Sequence, residues 1–240
     1  MRRRFFVERF EGNSAVLRGD AAHHLGRVLR ATPGQLYELS DGTAVWLART
    51  ERVARNAIEF SLVEPLPARQ PRLRVALLLA IVKFDRFEWA LEKATELGVD
   101  EIVPLAAARS EKALLAAAAK RAARWEKILL ESAQQARRLR PPTLRPAARP
   151  RDAFFGVGAQ HAVPVVLSER AEAPPLRAVL EGHSATSAAL AIGPEGGWTD
   201  GELLAARAAG FAEASLGANI LRTETAVVAA LAALNYALGE

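Results

Sequence analysis

The fold is decided by the stretch LAIGPEGGWTDGELLAARAAG, which spans residues 190–210. An apolar strand in this stretch breaks into three glycines and a proline within residues 193–197, and a helix is predicted from Thr199. Thr199 and Glu202 have the spacing of a capping box, which fixes the start of the helix and leaves the glycine-rich loop free to present its backbone. The loop is either a tight turn or a segment whose backbone approaches a ligand closely, and the residues alone leave both interpretations open.

Apolar strands and helices alternate around this loop, which predicts an α/β fold with a mostly parallel sheet covered on both faces. The predicted strands are LRVALLLAIV (73–82), VDEIVPL (99–105), AVPVVLS (162–168), SAALAIG (187–193) and FAEASLG (211–217). The predicted helices are DRFEWALEKATELG (85–98), a long helix from about Ala113 to Arg137 that Pro141-Pro142 ends, and ETAVVAALAALNYAL (224–238). The last helix is apolar nearly all round, so we expect it to be buried in the core or against a second copy of the chain.

The first 68 residues have a different pattern and predict a small β-rich domain. Two strands flank an Asp41-Gly42 hairpin turn within residues 34–50. DAAHHLGRVLR (20–30) predicts one short helix, capped by Asp20, with Leu25, Val28 and Leu29 on one face. The proline-rich segment EPLPARQP (64–71) then predicts a linker, which places the domain boundaries at 1–68 and 72–240.

The composition excludes several classes of protein. The chain has no apolar run long enough and free enough of charge to span a membrane, and its start does not read as a signal peptide, so we expect a soluble, cytoplasmic protein. It contains no cysteine, which excludes disulfide scaffolds, thiolate metal sites and a cysteine nucleophile. His23 and His24 are adjacent and point to different helix faces, and we expect no metal site.

Positive charge is concentrated in one segment. Residues 120–151 hold ten basic and two acidic residues, a net charge of +8, whereas the whole chain carries +5. Such a block is typical of a surface that binds a polyanion. A solvated helix face is the alternative interpretation, and the charge pattern alone does not separate the two.

Two glycine-containing segments follow predicted parallel strands, at the edge where α/β sheets bind ligands. They are residues 193–197 and SLGANILRTET (215–225). In the second, Thr223 is positioned to cap the last helix, Glu224 lies in its first turn, and Arg222 stands at the junction. The residues themselves therefore predict a ligand site formed by two loops.

Together these motifs resemble the knotted methyltransferases of the SPOUT superfamily. The resemblance rests on IGPEGGWTDGEL (192–203) followed by LGANILRTETAVVAAL (216–231), and it is closest to the bacterial ribosomal RNA small subunit methyltransferase E family, which methylates N3 of a uridine in 16S rRNA. It extends to HHLGRVLR (23–30), LSDG (39–42), KFDRFEWALEKATELGVDEIVPL (83–105) and RWEKILLESAQQARR (124–138).

This resemblance implies a fold and a cofactor. Residues 1–68 would form a PUA-like β-barrel that binds RNA, and residues 72–240 a methyltransferase domain with a deep trefoil knot. The knot loops would hold S-adenosylmethionine, and the domain would form a homodimer through helices that include the last one. The cofactor residues carried over from the family are Leu167, Ile192, Gly193, Pro194, Glu195, Gly196, Leu216, Gly217, Ile220, Leu221, Thr223 and Ala226.

The same resemblance suggests roles for Arg222 and for several basic residues. Arg222 would donate hydrogen bonds to a uridine carbonyl as negative charge develops, although it could instead bind a phosphate or pair with Glu224. We expect 16S rRNA of the small subunit to contact Arg3, Arg4, Arg30, Lys83, Gln135, Arg137, Arg138 and Arg140. The chain departs from the family at Gln134, where an acidic residue is common.

Two other functions fit the same sequence. A ribose 2′-O-methyltransferase of the SPOUT superfamily, acting on rRNA or tRNA, would share the fold and the cofactor. A non-catalytic RNA-binding assembly factor would have no affinity for S-adenosylmethionine. The first differs in its last motif, and the intact glycine loops argue against the second.

Overall fold

The structure is a computed structural model of the 240-residue chain and describes residues 3–68 and 70–239. The chain divides into two compact units, Met1–Gln70 with Ala133–Pro141 and Pro71–Ser132 with Pro142–Glu240. Residues 133–141 group with the first unit, whereas the sequence placed them in the 72–240 domain. Within the first unit, Arg4 Nη1 donates to the carbonyl of Arg137 at 2.6 Å and Ser40 Oγ donates to that of Leu139 at 2.6 Å.

The first unit is built on a six-stranded sheet. Its strands are β1 (Arg4–Phe6), β2 (Phe10–Glu11), β3 (Ser14–Arg18), β4 (Leu36–Ser40), β5 (Val45–Val53) and β6 (Ala57–Leu66), in the order β1-β4-β5-β6-β3-β2. All pairs are antiparallel except β1 with β4. The core is formed by alternate residues of these strands, among them Phe5, Leu17, Leu39, Ile58 and Phe60. The β4–β5 turn was predicted correctly: Asp41 Oδ1 accepts hydrogen bonds from the backbone of Thr43 and Ala44, both at 2.9 Å.

The helix predicted for residues 20–30 is wrong in two respects. The structure has a short α1 (Gly19–His23) that continues as a π-helical turn (His24–Val28), and no side chain caps it. The wider turn moves Gly26 to within reach of Val53 and leaves Val28 61% exposed, whereas Leu25 is buried. The predicted apolar face therefore does not form, because Val28 and Leu29 are exposed while Leu25 is buried.

The second unit is an α/β layer structure with an entirely parallel sheet. Its strands are β7 (Arg74–Ala80), β8 (Glu101–Leu105), β9 (Thr143–Leu144), β10 (Val163–Leu167), β11 (Ser187–Ile192) and β12 (Ala212–Ala214), in the order β12-β10-β11-β7-β8-β9. The helices are α2 (Phe84–Glu96), α3 (Lys112–Gln135), α4 (Pro150–Gly158), α5 (Leu176–Leu180), α6 (Asp200–Ala208) and α7 (Thr223–Leu238). Five of the six strands and the mixed α/β class agree with the sequence prediction, and the two-residue β9 was not predicted.

Apolar residues cover both faces of this sheet, as continuous apolar strands require. Along β7, Val75, Leu77 and Leu79 belong to the core under α2, α3, α5 and α7, and the residues between them belong to the core under α4 and α6. Within the described residues, no helix is long and apolar enough to cross a membrane.

Two helices differ from their predicted form. Helix α3 ends at Gln135, two residues before the predicted end at Arg137, because Arg137 adopts a left-handed φ of 52° and the Arg138 N–H bonds back to the Ala133 carbonyl at 2.9 Å. Helix α7 buries one face, including Val227 and Leu231, while Tyr236 is 93% exposed. The apolar character of α7 is thus only partly accounted for by the core of one chain.

Candidate active site

An open cleft of about 690 Å³ lies at the carboxyl edge of the parallel sheet of the second unit. It is formed by the ends of β10 and β11 and by the segment that joins β12 to α7. Eleven of the twelve predicted cofactor residues line it: Leu167, Ile192, Gly193, Pro194, Glu195, Leu216, Gly217, Ile220, Leu221, Thr223 and Ala226. Gly197, Ala218 and Asn219, which lie in the two predicted loops, also line it, as do Ser168, Glu169 and Trp198, which the sequence did not indicate.

Local backbone bonds shape the glycine-rich loop. The Gly197 N–H donates to the Pro194 carbonyl at 2.8 Å and closes a turn, with Gly197 at a φ of +67°. The left-handed φ favours glycine there, and a Cβ would in addition displace the exposed Glu169 carboxylate. The capping box then starts α6: Glu202 N–H donates to Thr199 Oγ1 at 3.3 Å, and Thr199 N–H donates to Glu202 Oε2 at 2.9 Å.

Two side chains join the loops that line the cleft. Trp198 is buried, and its Nε1–H donates to the Leu167 carbonyl at 2.8 Å, which ties the loop after β11 to the end of β10. Thr223 Oγ1 donates to the Gly193 carbonyl at 3.1 Å. The prediction that Thr223 caps α7 is therefore wrong: Arg222 is the N-cap residue, with no side-chain cap bond, and the Thr223 hydroxyl holds the glycine loop instead.

Arg222 and Glu224 have different surroundings. Arg222 is exposed and forms no ion pair within the described residues, which argues against the alternative that it pairs with Glu224. Glu224 instead lies 3.9 Å from Arg86 Nε, and its Oε2 is buried without a hydrogen-bond partner in the described part of the chain. Arg86 Nη1 also contacts Glu195 Oε1 at 3.1 Å, so one guanidinium braces both the glycine loop and the start of α7.

A second, more polar pocket of about 650 Å³ adjoins the same loop. The twelfth predicted cofactor residue, Gly196, lines this pocket, and its carbonyl accepts a hydrogen bond from Arg109 Nη1 at 2.6 Å. Arg86 and Arg109 were missed by sequence reasoning. The signal that could have found Arg109 is its place just after β8, a third strand that ends at the ligand-binding edge.

The sequence matches one family model. The model describes an RNA methyltransferase domain and matches residues 69–235, which is well over half of the chain. The ribosomal RNA small subunit methyltransferase E of Synechocystis sp. is 35% identical over 225 residues, covering 90% of this chain and 71% of that protein. The chain belongs to the ribosomal RNA small subunit methyltransferase E family.

Solved structures of methyltransferases extend the likeness over the whole chain. The ribosomal RNA small subunit methyltransferase E of Neisseria gonorrhoeae, bound to S-adenosyl methionine, superposes with a TM-score of 0.89 and 30% identity, covering 100% of this chain and 99% of that one. A methyltransferase of Legionella pneumophila in complex with the cofactor SAM gives a TM-score of 0.88 and 31% identity over the same shares.

The basic residues expected to bind RNA in this family member have different environments. Arg4 is buried and is not placed to contact RNA: its guanidinium contacts Glu38 Oε2 at 3.0 Å, so it serves the fold of the first unit. Arg137 also lies near Glu38, with 3.5 Å between Nη1 and Oε1, but its side chain is 42% exposed. Arg3, Arg30, Lys83, Gln135 and Arg140 are exposed, and Arg138 is half-buried.

The departure from the family pattern at Gln134 falls on a buried position. Gln134 is 7% exposed, whereas the neighbouring Gln135 is exposed. Burial of a carboxylate destabilises the fold through desolvation of its charge, and burial of a neutral amide does so less. Gln134 is therefore the more stable choice at this position if only a hydrogen bond is needed. Among the described residues, no group of three or more acidic or histidine side chains is arranged to hold a metal ion.

Proposed function

We propose that this protein transfers the methyl group of S-adenosylmethionine to N3 of a uridine in the 16S rRNA of the small ribosomal subunit, in the cytoplasm. The observation that carries the proposal is the cleft between the two glycine loops, in a chain that superposes over its full length on an S-adenosyl methionine-bound member of its family.

The residues of the cleft fit this cofactor. The cleft combines apolar walls with backbone donors and acceptors from the glycine loops, as small-molecule sites do. Leu167, Ile192 and Leu216 supply apolar surface for an adenine ring, and the carboxylate of Glu169 supplies negative charge for a cationic ligand. S-adenosylmethionine, when bound, supplies an activated methyl group and a neutral leaving group.

The protein's own task is to position the uridine and stabilise its anion. N3 of uridine carries a proton at neutral pH, and its loss places negative charge on the flanking carbonyl oxygens. Arg222 is free to donate two hydrogen bonds to one such oxygen, because no ion pair within the described residues engages it. The absence of cysteine excludes the covalent attack on the base that carbon-5 methylation requires, and it favours direct attack by a nitrogen or oxygen atom, of which we propose N3.

The trefoil knot of the family is the fold we propose for the end of the chain. What supports it is the sheet order: β12 lies at the edge, yet α7, which follows it, packs against β11 further inside. Ser215, in the segment that joins β12 to α7, fixes this segment through two backbone hydrogen bonds. Its N–H donates to the Pro174 carbonyl, and its carbonyl accepts from the Leu176 N–H, both at 2.8 Å. Such threading is rare in proteins.

We also propose the PUA-like barrel and the homodimer. The antiparallel strands of the first unit support a barrel-like RNA-binding domain for residues 1–68. The exposed aromatic side chains of Tyr236 on α7 and Trp89 on α2, two helices that pack together, support a dimer that covers the remaining apolar surface of α7.

Methyl transfer can be measured directly. Small ribosomal subunits that lack the modification are incubated with the protein and S-adenosylmethionine labelled in its methyl group. We expect the label in 16S rRNA at a rate proportional to enzyme concentration. A protein that binds S-adenosylmethionine but leaves both small subunits and bare 16S rRNA unlabelled would contradict the proposal.

A further inference from the structure

Most side chains of the polar pocket beside the cofactor cleft have no role in the methyl transfer described above. It is formed by the start of α2, the start of α3 and the glycine loop. Its lining residues are Ile81, Lys83, Arg86, Arg109, Ser110, Glu111, Leu114, Glu195 and Gly196.

Three cations face this pocket against two carboxylates. Lys83 is exposed and has no ion pair within the described residues. Arg109 uses one nitrogen for the Gly196 carbonyl, which leaves its other N–H donors available. Arg86 is shared between the carboxylates of Glu195 at 3.1 Å and Glu224 at 3.9 Å, so it is not counted as free positive charge. Glu111 is the one lining carboxylate without an ion pair in the described part of the chain. Lys83 and Arg109, which keep free donors, outweigh this single carboxylate, and the pocket therefore favours a negatively charged ligand.

Ser110 is an independent indication that the pocket binds a ligand. It is 8% exposed, and its Oγ is buried with no hydrogen-bond partner within the described residues. An unsatisfied buried hydroxyl is destabilising, and native proteins rarely keep one without a reason. A ligand oxygen in the pocket would accept its hydrogen bond and remove this cost.

Two helices begin at the same pocket. Lys83 is the N-cap of the 13-residue α2 and makes no side-chain cap bond, and α3, of 24 residues, begins at Lys112 directly after Ser110 and Glu111. The first N–H groups of a helix lack intrahelical partners, and with the helix dipole they favour an anion.

We propose that this pocket binds a backbone phosphate of the substrate RNA, next to the nucleotide that is methylated. The proposal rests on the proposed function, because it takes RNA as the ligand. The pocket and the cofactor cleft share Glu195, so a phosphate held here fixes the sugar–phosphate backbone beside the reacting base. The carboxylate of S-adenosylmethionine has similar anionic chemistry, and the experiment below separates the two sources.

The first variant is Lys83→Gln. Equilibrium binding of 16S rRNA is measured over a series of salt concentrations, and the dissociation constant of S-adenosylmethionine is measured in parallel. We expect RNA affinity to fall by roughly tenfold and the slope of log affinity against log salt to decrease by about 0.7–0.9, as for one lost phosphate contact. Lys93→Gln, which removes the same charge from the same helix ten residues on, is the matched control and leaves the slope unchanged.

The second variant, Ser110→Ala, separates a ligand contact from a structural role. Removing an unsatisfied hydroxyl leaves the free energy of unfolding unchanged or raises it, whereas RNA affinity falls about fivefold if the hydroxyl donates to phosphate. This opposite response of stability and RNA affinity is the result expected. RNA affinity and salt slope equal to wild type in both variants would overturn the proposal, as would a loss of S-adenosylmethionine affinity with RNA binding intact.

Failure of this proposal is distinguishable from failure of the proposed function. If the wild-type protein methylates 16S rRNA and the two variants bind RNA as it does, the pocket assignment alone is wrong. If the wild-type protein neither methylates nor binds 16S rRNA, the proposed function fails, and the pocket assignment fails with it.

Discussion

Arg222 stands exposed at the N-cap of α7, where its guanidinium is not consumed by any ion pair within the described residues. Arg222→Lys keeps the positive charge but loses the planar pair of donors. We expect the single-turnover rate of methyl transfer to fall by about 10²-fold, since the donors act on charge that develops in the transition state. The dissociation constant of S-adenosylmethionine, measured by calorimetry, should stay within twofold of wild type. Full turnover by this variant would remove Arg222 from catalysis.

Gly197 carries the conformational demand of the cofactor loop. Gly197→Ala places a Cβ at a left-handed φ and against the Glu169 carboxylate, so the loop backbone is strained and the Glu169 side chain must move. We expect a cost of about 1–2 kcal/mol, which appears as a five- to thirtyfold weaker affinity for S-adenosylmethionine in calorimetry.

The matched control for this variant is Gly201→Ala. Gly201 lies in α6, where an added Cβ meets open space, so alanine should stabilise the helix without weakening cofactor binding. An unchanged cofactor affinity in Gly197→Ala would show that the geometry of this loop does not govern binding.

At the scale of elements, α6 is anchored where the cofactor loop ends. Thr199→Ala removes one half of the capping box, and we expect the free energy of unfolding in urea to fall by about 1 kcal/mol. Thr225→Ala, an exposed threonine within α7 that caps nothing, is the control and should be neutral or slightly stabilising. Equal stability of the Thr199→Ala variant and wild type would contradict the assigned cap.

The β4–β5 hairpin carries a pH-dependent contribution. Partial burial raises the pKa of Asp41, but hydrogen bonds from Ala44 and Thr43 outweigh it, and the net pKa lies below the ordinary value of 3.8. A lowered pKa stabilises the fold above about pH 4, and this contribution is lost as the pH falls through the folded-state pKa. We expect wild type to be more stable than Asp41→Asn at pH 7 and the difference to shrink by pH 3. A difference that does not depend on pH would show that the charge of Asp41 is not involved.

Most elements of the parallel sheet could be predicted because each rests on a local pattern. Continuous apolar runs gave the strands, and a glycine stop ended α2, where Gly98 has a φ of +91°. The errors at residues 20–30 and at the end of α3 share one cause. Both depend on backbone turns that no residue type specifies, a π-turn in one case and a left-handed arginine in the other.

The candidate site was predictable where it is contiguous in the chain and not where it is assembled from distant segments. Each glycine loop could be recognised because it is contiguous in the chain and follows a predicted parallel strand at the ligand-binding edge of the sheet. Arg86, Arg109 and Trp198 reach the site from separate elements. Their roles come from tertiary contacts, which periodicity and spacing do not encode.

At the scale of the whole molecule, the property that defines the reaction is the atom that is methylated. A cleft lined by two glycine loops is common to enzymes that methylate different atoms, so the cofactor site cannot decide between N3 of the base and the 2′ oxygen of the ribose. We propose that positioning of the nucleotide by Arg222 and by the phosphate pocket selects N3.

The most direct test is nucleoside mass spectrometry of 16S rRNA, taken from unmodified small subunits after incubation with this protein and S-adenosylmethionine. We expect one new nucleoside, 3-methyluridine, which is absent when the protein is omitted. A ribose-methylated nucleoside, or no methylated nucleoside from a protein that binds the cofactor, would contradict this expectation.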